Sequence, residues 1–375
     1  MRVMMIAGEP SGDLHGAGVV RELKRQRPDI EIYGIGGEKM QREGMQLIYN
    51  VRELSVMGFL EVVKHLPMIR SVEKTLSSLL QFRRPDVVVL IDYPGFNLRF
   101  ARIAHGLGIK VAYYISPQVW AWNSGRVKKM KGVIDKMLVV FPFEKEIYEK
   151  EGIDVEFVGH PLLEALYEPQ SREAFCKRYG LDANKKILGV FPGSRTQEVE
   201  RIFPVMVNAA SMLHRQYDAQ VVVGVAPNFD SSYVQSFLRN DFPVQLIHHA
   251  TYDVMANSDV ALVTSGTATL ETACFQTPMV IVYKTSWLTY LIGKMFVRIK
   301  NIGLVNIVAN ENIVPELIQS QLTPRRLAAA AAKFLEDDNY QAEVSKKLST
   351  VKQRLGEVGA SSRVAKAVLT LAARG

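Results

Sequence analysis

The feature that most constrains the fold of this chain is a series of short, continuously apolar runs that occurs in two sets. A parallel strand covered on both faces is apolar at every position rather than at alternate ones. Segments with helical spacing lie between the runs. The runs are 3–7, 30–35, 87–91, 111–115, 137–141 and 155–158, then 187–191, 221–225, 244–247, 260–263 and 279–283. The pattern predicts an α/β fold with two doubly wound parallel sheets.

The length of the chain also favours two domains. Single hydrophobic cores rarely grow beyond roughly 250–300 residues, and this chain has 375. We expect a first Rossmann-like domain over 1–162 and a second over 163–345. The tail 346–375 is predicted to be helical. It either returns to the first domain or exchanges with a second copy in a homodimer, and the sequence leaves both arrangements open.

Composition points away from several classes of protein. No apolar run reaches the ~18–20 residues of a membrane span, and the N-terminus is too quickly interrupted for a signal peptide. Cys176 and Cys274 have no metal-binding spacing and are typical of buried thiols in an intracellular protein. There is also no D-x-D or H-E-x-x-H pattern. We therefore expect a cytoplasmic protein with no metal and no cofactor.

Part of the net charge of +8 lies in one basic cluster. The cluster consists of Arg126, Lys128, Lys129 and Lys131, and it follows Trp120 and Trp122. Mixed basic and aromatic residues can bind single-stranded nucleic acid, but no nucleic-acid-binding motif accompanies them. We predict no nucleic-acid partner. A solvated basic face and a surface for anionic lipid or a phosphorylated acceptor are the two other interpretations.

The segment Gly8–Gly16 follows the first apolar run and has the position of a ligand-binding loop in an open α/β sheet. It lacks the G-x-G-x-x-G pattern and carries two carboxylates, Glu9 and Asp13. A pyrophosphate prefers free backbone N–H groups and positive potential, whereas carboxylates suit a sugar hydroxyl or a proton in transfer. We predict that this loop, with Ser11 and Gly12, binds substrate and that phosphates bind elsewhere.

Two loops of the second half fit phosphate binding better. Each follows an apolar run, contains small residues and precedes a helical segment. Taken singly, either could be an ordinary strand–helix turn, with an arginine in a surface ion pair or a serine as helix cap. Together they predict a nucleoside-diphosphate site in which a glutamate accepts from the ribose diol. The residues are Gly193, Ser194 and Arg195 in one loop, and Ser265, Gly266, Thr267 and Glu271 in the other.

With these segments identified, the sequence resembles the lipid-A-disaccharide synthases essentially from end to end. The W-A-W and V-M-G segments are much more specific than a generic nucleotide loop. The segments that carry the resemblance are A-G-E-P-S-G-D at 7–13, E-L-S-V-M-G-F-L-E-V at 53–62, I-D-Y-P-G-F-N at 91–97, Y-I-S-P-Q-V-W-A-W at 114–122, F-P-F-E at 141–144, F-V-G-H-P at 157–161, P-G-S-R at 192–195 and S-G-T-A-T-L-E at 265–271.

The resemblance implies a GT-B fold, in which two domains face each other across a cleft, and an inverting, metal-independent glycosyl transfer. The donor would be UDP-2,3-diacylglucosamine and the acceptor 2,3-diacylglucosamine 1-phosphate (lipid X). The products would be a β-1,6-linked disaccharide 1-phosphate and UDP. The resemblance also places Asn306 near the nucleotide, although a turn residue would have the same sequence signature.

Inversion in one displacement needs a base that takes the proton of the acceptor 6-hydroxyl. Asp92 is the principal candidate because it follows the run 87–91 and lies in the I-D-x-P motif of the family, although it could simply cap the next turn. Glu9 and Asp13 are further catalytic candidates, with hydroxyl binding or orientation of a neighbour as alternatives. Family members commonly carry a second Asp where this chain has Gly95, so the prediction concentrates on Asp92.

The segment 55–69 is unusually apolar for a connection between elements. It is either a core helix or an exposed surface that accepts acyl chains and enters the bilayer interface. In the second case Lys64, Arg70 and the basic cluster would meet anionic head groups. We then expect a peripheral protein on the cytoplasmic face of the inner membrane.

Two other functions are compatible with the sequence. A non-hydrolysing UDP-sugar epimerase shares the scaffold and the S-G-T/Glu site, but it needs no groove for acyl chains. A basic membrane- or RNA-binding protein without enzymatic activity would keep the scaffold and would not depend on Asp92 or Arg195.

Overall fold

The computed structural model describes residues 1–54, 66–122, 125–238, 242–287, 290 and 301–374. The chain divides into two compact units. The first unit consists of Met1–Glu164 and Leu355–Gly375, and the second of Ala165–Arg354. In sequence, the second unit is therefore one contiguous segment that interrupts the first.

The first unit is built on a parallel sheet, in which the described strands have the order β3-β2-β1-β4-β5-β6-β7. Strand β1 pairs with β2 on one side and with β4 on the other, so the chain order reverses between β1 and β4. This is the topological switch point of a doubly wound sheet. The strands are β1 (Arg2–Ala7), β2 (Glu31–Gly36), β3 (Gln46–Asn50), β4 (Val87–Ile91), β5 (Lys110–Tyr114), β6 (Lys136–Val139) and β7 (Val155–Phe157).

Helices pack against this sheet, and the buried residues of its strands explain the continuous apolar runs. Met4, Leu90 and Tyr113 face a cluster that includes Leu76 and Phe100 from two of the helices. The helices of the first unit are α1 (Pro10–Gln26), α2 (Glu38–Arg42), α3 (Val51–Leu54), α4 (Leu66–Phe82), α5 (Pro94–Gly106), α6 (Val119–Trp122), α7 (Gly125–Lys128) and α8 (Pro142–Glu149). Helix α9 (Leu162–Ala165) lies where the chain leaves the unit.

The second unit repeats the architecture, with the strand order β10-β9-β8-β11-β12-β13 and a switch point between β8 and β11. The strands are β8 (Ile187–Phe191), β9 (Gln220–Val225), β10 (Val244–His248), β11 (Val260–Thr264), β12 (Met279–Tyr283) and β13 (Glu316–Ile318). All the described strand pairs are parallel. The prediction of two doubly wound, Rossmann-like sheets is confirmed.

The described helices of the second unit begin with α10 (Arg172–Tyr179), α11 (Thr196–Tyr217), α12 (Ser231–Gln235), α13 (Thr251–Asn257) and α14 (Thr267–Cys274). They continue with α15 (Leu304–Ala309), α16 (Pro324–Glu336) and α17 (Asp338–Arg354), while α18 (Ala360–Ala372) belongs to the first unit. The boundary predicted at 345/346 falls inside α17. None of the helices that the structure describes is long and apolar enough to cross a membrane.

The structure differs from the sequence interpretation in three local features. Strands β3 and β13 were not predicted, because each lies at a sheet edge and its residues are only partly buried. The prediction of a loop over 8–16 is wrong beyond Glu9, where the chain is helical. Helix α1 begins at Pro10, whose fixed φ and missing N–H suit the first turn of a helix.

The C-terminal helix α18 packs on α1 of the same chain. A Cβ at Gly18 of α1 would lie 2.3 Å from Ser361 Oγ, so only glycine allows this approach. The Glu164 carboxylate accepts the backbone N–H of Ser361 at 2.8 Å, and the Arg363 guanidinium donates to the Val158 carbonyl at 2.8 Å. These bonds attach the tail to the first unit.

Asn306 has a structural environment that differs from the predicted nucleotide contact. Its side chain is completely buried, and both of its polar atoms are occupied. The amide nitrogen donates to the Val314 carbonyl and to Glu316, at 2.9 and 2.8 Å, and the oxygen accepts the N–H groups of Ile313 and Val314. This side chain therefore holds the turn between α15 and β13, with its polar atoms engaged there, and its place near the nucleotide stays a prediction.

We expect Asn306→Ala to lower the free energy of unfolding by about 2–4 kcal/mol, because it leaves several buried groups without partners. Chemical denaturation measures the change, and Asn339→Ala on the exposed start of α17 is the control. Unchanged stability together with weaker UDP binding would return Asn306 to the nucleotide site.

Candidate active site

Four loops follow the strands that flank the two switch points. In the first unit they are Gly8–Glu9 after β1 and Asp92–Tyr93 after β4, and in the second they are 192–195 after β8 and 265–266 after β11. Ligands of open α/β sheets bind beyond the carboxyl ends of the strands at such points. The topology of each unit thus brings its predicted site loops to one edge.

Asp92 is held in a strained backbone conformation. Asp92 and Tyr93 have φ angles of 46° and 48°, which cost a non-glycine residue roughly 1–2 kcal/mol each. Three hydrogen bonds fix this backbone. The Asn97 amide and the Tyr113 hydroxyl donate to the Asp92 carbonyl at 2.8 and 2.6 Å, and the Asp92 N–H donates to the Tyr114 carbonyl at 2.9 Å. Strain of this kind concentrates at functional sites.

The environment of the Asp92 carboxylate suits proton transfer. Burial and, secondarily, the negative charge of Glu9 raise the pKa of Asp92 to about 6, against the opposing hydrogen bond from the Tyr93 N–H. A base whose pKa lies just below neutral pH is ionised and still accepts a proton effectively. The structure therefore brings together two of the three predicted acids, Glu9 and Asp92.

The surroundings of Asp92 are tightly packed and apolar. A Cβ at Gly8 would lie 2.2 Å from the Tyr93 ring, so the glycine of the first loop makes room for the residue next to Asp92. A small hollow beside them is lined by Ile6, Ile35, Ile69, Val72 and Phe96, together with Gly8 and Tyr93. Apolar side chains therefore pack around Gly8 and Tyr93, which precede Glu9 and follow Asp92 in the chain.

Asp13 does not share this environment. It is buried on α1, and its carboxylate accepts the backbone N–H groups of Gly37, Lys39 and Met40 at 2.7, 3.2 and 3.0 Å. These bonds use the Asp13 carboxylate to fix the start of α2, and a catalytic role for Asp13 stays a prediction.

The neighbours of Asp13 on α1 differ in exposure. Ser11 is exposed in the first turn, whereas Gly12 is buried and packs closely on Ala7. Burial and the charge of Lys39 lower the pKa of His15 to about 4.

The two loops of the second unit have backbones that require glycine. Gly193 and Gly266 have φ angles of 107° and 151°, and exposed Ser194 and Thr267 adjoin them. The Ser265 hydroxyl donates to the Ile302 carbonyl at 3.0 Å. That bond leaves the N–H groups at the start of α14 as the principal candidate donors of this loop.

Arg195 and Glu271 are the charged residues of these loops. The Arg195 side chain is 79% exposed and pairs with Glu198 at 2.9 Å. An exposed ion pair of this kind contributes little stability, so Arg195 can exchange Glu198 for a phosphate at little cost in free energy. Glu271 accepts a hydrogen bond from the Tyr252 hydroxyl at 3.2 Å. Among the described residues, no three His, Cys, Asp or Glu side chains are grouped to hold a metal ion.

Sequence reasoning missed the residues that support the site. Asn97 lies within the I-D-Y-P-G-F-N segment, so its position was visible although its role was not. Tyr113 and Tyr252 carry no signal, because one is an interior residue of a strand and the other follows a loop of ordinary composition.

Comparison with known proteins identifies the family. A family model described as lipid-A-disaccharide synthetase matches residues 3–369. The lipid-A-disaccharide synthase of Geobacter sulfurreducens is 42% identical over 372 residues, which cover 99% of this chain and 97% of the relative. The Coxiella burnetii synthase is 40% identical over 370 residues, 98% of each chain.

Solved structures show the same fold at low sequence identity. A UDP-GlcNAc 2-epimerase from Neisseria meningitidis has a TM-score of 0.67 at 14% identity, covering 99% of this chain and 100% of its own. The glycotransferase of kitacinnamycin has a TM-score of 0.68 at 15% identity, with 99% and 98% coverage. At these identities the similarity extends to the fold alone. The family model and the relatives near 40% identity establish that the chain belongs to the lipid-A-disaccharide synthases, the glycosyltransferases of lipid A biosynthesis.

Proposed function

We propose that Asp92 is the general base with which this enzyme joins UDP-2,3-diacylglucosamine to 2,3-diacylglucosamine 1-phosphate. The observation that carries the proposal is the strained, hydrogen-bonded backbone that holds Asp92 at the switch point beside Glu9. The three bonds act on main-chain atoms, and the carboxylate, which accepts the Tyr93 N–H, keeps further lone pairs for the acceptor hydroxyl.

In the proposed step, the Asp92 carboxylate takes the proton of the acceptor 6-hydroxyl. The hydroxyl oxygen forms a bond to C1 of the donor sugar as the bond from C1 to the UDP oxygen breaks. Attack from the face opposite UDP inverts C1 and gives the β-1,6 linkage. The electron pair of the broken bond leaves with UDP, and the proton stays on Asp92 until solvent removes it.

The nucleotide would bind to the second unit, where the backbone and charge suit a diphosphate. Supporting features are the glycine conformations of Gly193 and Gly266, the start of α11 and the exposed guanidinium of Arg195. These groups would stabilise the departing UDP electrostatically. Glu271, one turn into α14, would accept from the ribose diol.

The acyl chains of both substrates need an apolar path away from the base. Apolar side chains adjoin Gly8 and Tyr93, although the hollow between them is far too small to hold an acyl chain. We also propose peripheral attachment to the cytoplasmic face of the inner membrane through the basic cluster, whose four cations are exposed. Most of the apolar segment 55–69 lies outside the described residues, which include only its last residues, 66–69, in α4. A homodimer stays a prediction.

We expect Asp92→Asn to lower kcat by about 10²- to 10⁴-fold, with UDP binding unchanged. Asparagine keeps the volume and tolerates a positive φ, and the hydrogen bonds from Asn97 and Tyr113 go to the backbone. Mass spectrometry of the disaccharide product measures the rate, and Asp154→Asn on the exposed surface is the control. A rate equal to that of the wild type would exclude Asp92 as the base.

The pH dependence tests the contact between Glu9 and Asp92. The wild-type kcat/KM should fall as the pH drops through about 6, where Asp92 becomes protonated. Glu9→Gln removes a negative charge that raises the pKa of Asp92, so the acidic limb should move to lower pH. Glu146→Gln, at an exposed position of α8, should leave the acidic limb of the pH profile unchanged. A limb that stays fixed or moves upward in Glu9→Gln contradicts the proposed coupling.

Membrane attachment is tested by flotation with vesicles that contain anionic lipid. Each basic residue near such a surface contributes about 1 kcal/mol. Reversing Lys128 and Lys129 to glutamate should therefore abolish most binding, and high salt should weaken that of the wild type. Reversal of the exposed Lys333 and Lys346 in the second unit is the control. Binding that resists both salt and reversal within the cluster refutes this mode of attachment.

A further inference from the structure

We infer that Tyr252 is a positioning residue of the nucleotide site, whose hydroxyl orients the Glu271 carboxylate toward the ribose diol of the uridine nucleotide. The inference rests on the nucleotide site proposed above and identifies a residue on which that site depends.

The hydrogen bond joins two helices of the second unit that contact each other. Tyr252 lies at the start of α13, after β10, and Glu271 lies in α14, after β11. The Tyr252 hydroxyl donates to Oε1 of Glu271 at 3.2 Å. Within the described part of the chain, Oε2 accepts no hydrogen bond. The contact therefore fixes one carboxylate oxygen and leaves lone pairs for a ligand hydroxyl.

Aromatic neighbours fix the ring that carries this hydroxyl. The Tyr252 ring contacts Tyr167 and Phe275, with centroid distances of 5.3 and 5.6 Å. The Tyr167 hydroxyl bonds elsewhere, to Asp253 at 3.2 Å. Because the ring is packed on these side chains, its hydroxyl has a defined position. The hydrogen bond from this hydroxyl in turn orients the Glu271 carboxylate. Preorganised acceptors bind better than mobile ones, since less rotamer freedom is lost on binding.

The charges around Glu271 show what the hydroxyl contributes. Burial raises the pKa of Glu271, and the hydrogen bond from Tyr252 opposes that rise. Burial, with the nearby charge of Glu271, keeps the pKa of Tyr252 far above its usual value, so the hydroxyl remains a donor. Cys274 on the same helix also faces Glu271, and burial raises its pKa to about 12, so it stays neutral. Tyr252 is thus the neighbour that favours an ionised Glu271.

The test compares UDP with 2′-deoxyuridine 5′-diphosphate, which lacks one hydroxyl of the diol. Calorimetry with Tyr252→Phe should give a Kd for UDP about 5- to 10-fold above the wild-type value, the loss expected for one typical hydrogen bond. The Kd for the deoxy nucleotide should change much less. The ratio of the variant Kd to the wild-type Kd for UDP should grow as the pH is lowered, because Glu271 becomes protonated at a higher pH in the variant than in the wild type.

Two further variants separate positioning from structure. Tyr167→Phe removes a hydroxyl from the adjacent ring and should leave both affinities unchanged. In a Glu271→Gln background, Tyr252→Phe should add no further loss. Unchanged UDP binding by Tyr252→Phe, or equal weakening of both nucleotides, would overturn the inference while leaving the nucleotide site intact. A wild-type enzyme that binds no UDP would overturn both.

Discussion

The candidate site of the first unit depends on the hydrogen bonds that hold the main chain of Asp92. Asp92 and Tyr93 occupy left-handed conformations at a cost of roughly 1–2 kcal/mol each. The bonds from Asn97, from Tyr113 and to Tyr114 each contribute about 1 kcal/mol, so cost and gain are nearly equal. The balance holds only because the donors are buried and cannot turn to water.

The proposed base and the proposed diphosphate site need opposite electrostatic environments, and the two units of the chain provide one each. Acids occupy the switch point of the first unit, where burial and mutual repulsion bring the pKa of Asp92 close to neutral. Backbone N–H groups, glycine turns and an exposed arginine occupy that of the second. A diphosphate beside Glu9 and Asp92 would raise the pKa of the base further and protonate it. We therefore assign, as part of the proposal, the base to the first unit and the diphosphate to the second.

The sequence predicted the sheets well, because buried parallel strands are apolar throughout, as in 87–91 and 187–191. It missed the edge strands β3 and β13, because their partly exposed residues do not form a continuous apolar run. Motif position made Asp92 the principal candidate base, but it did not reveal that the Asp13 carboxylate accepts backbone N–H groups at the start of α2. Such roles depend on which backbone N–H groups lie nearby after folding. The supporting tyrosines were invisible for the same reason, since their function resides in one long-range hydrogen bond each.

The packing of α18 on α1 has a consequence for the order in which the protein folds during synthesis. The second unit is a contiguous stretch and is complete once Arg354 has left the ribosome. Most of the first unit is translated earlier, yet the helix that covers α1 at Gly18 is made only after the second unit. Until α18 has been translated, the first unit therefore has one sheet face uncovered. An exposed apolar surface of this kind is what chaperones bind.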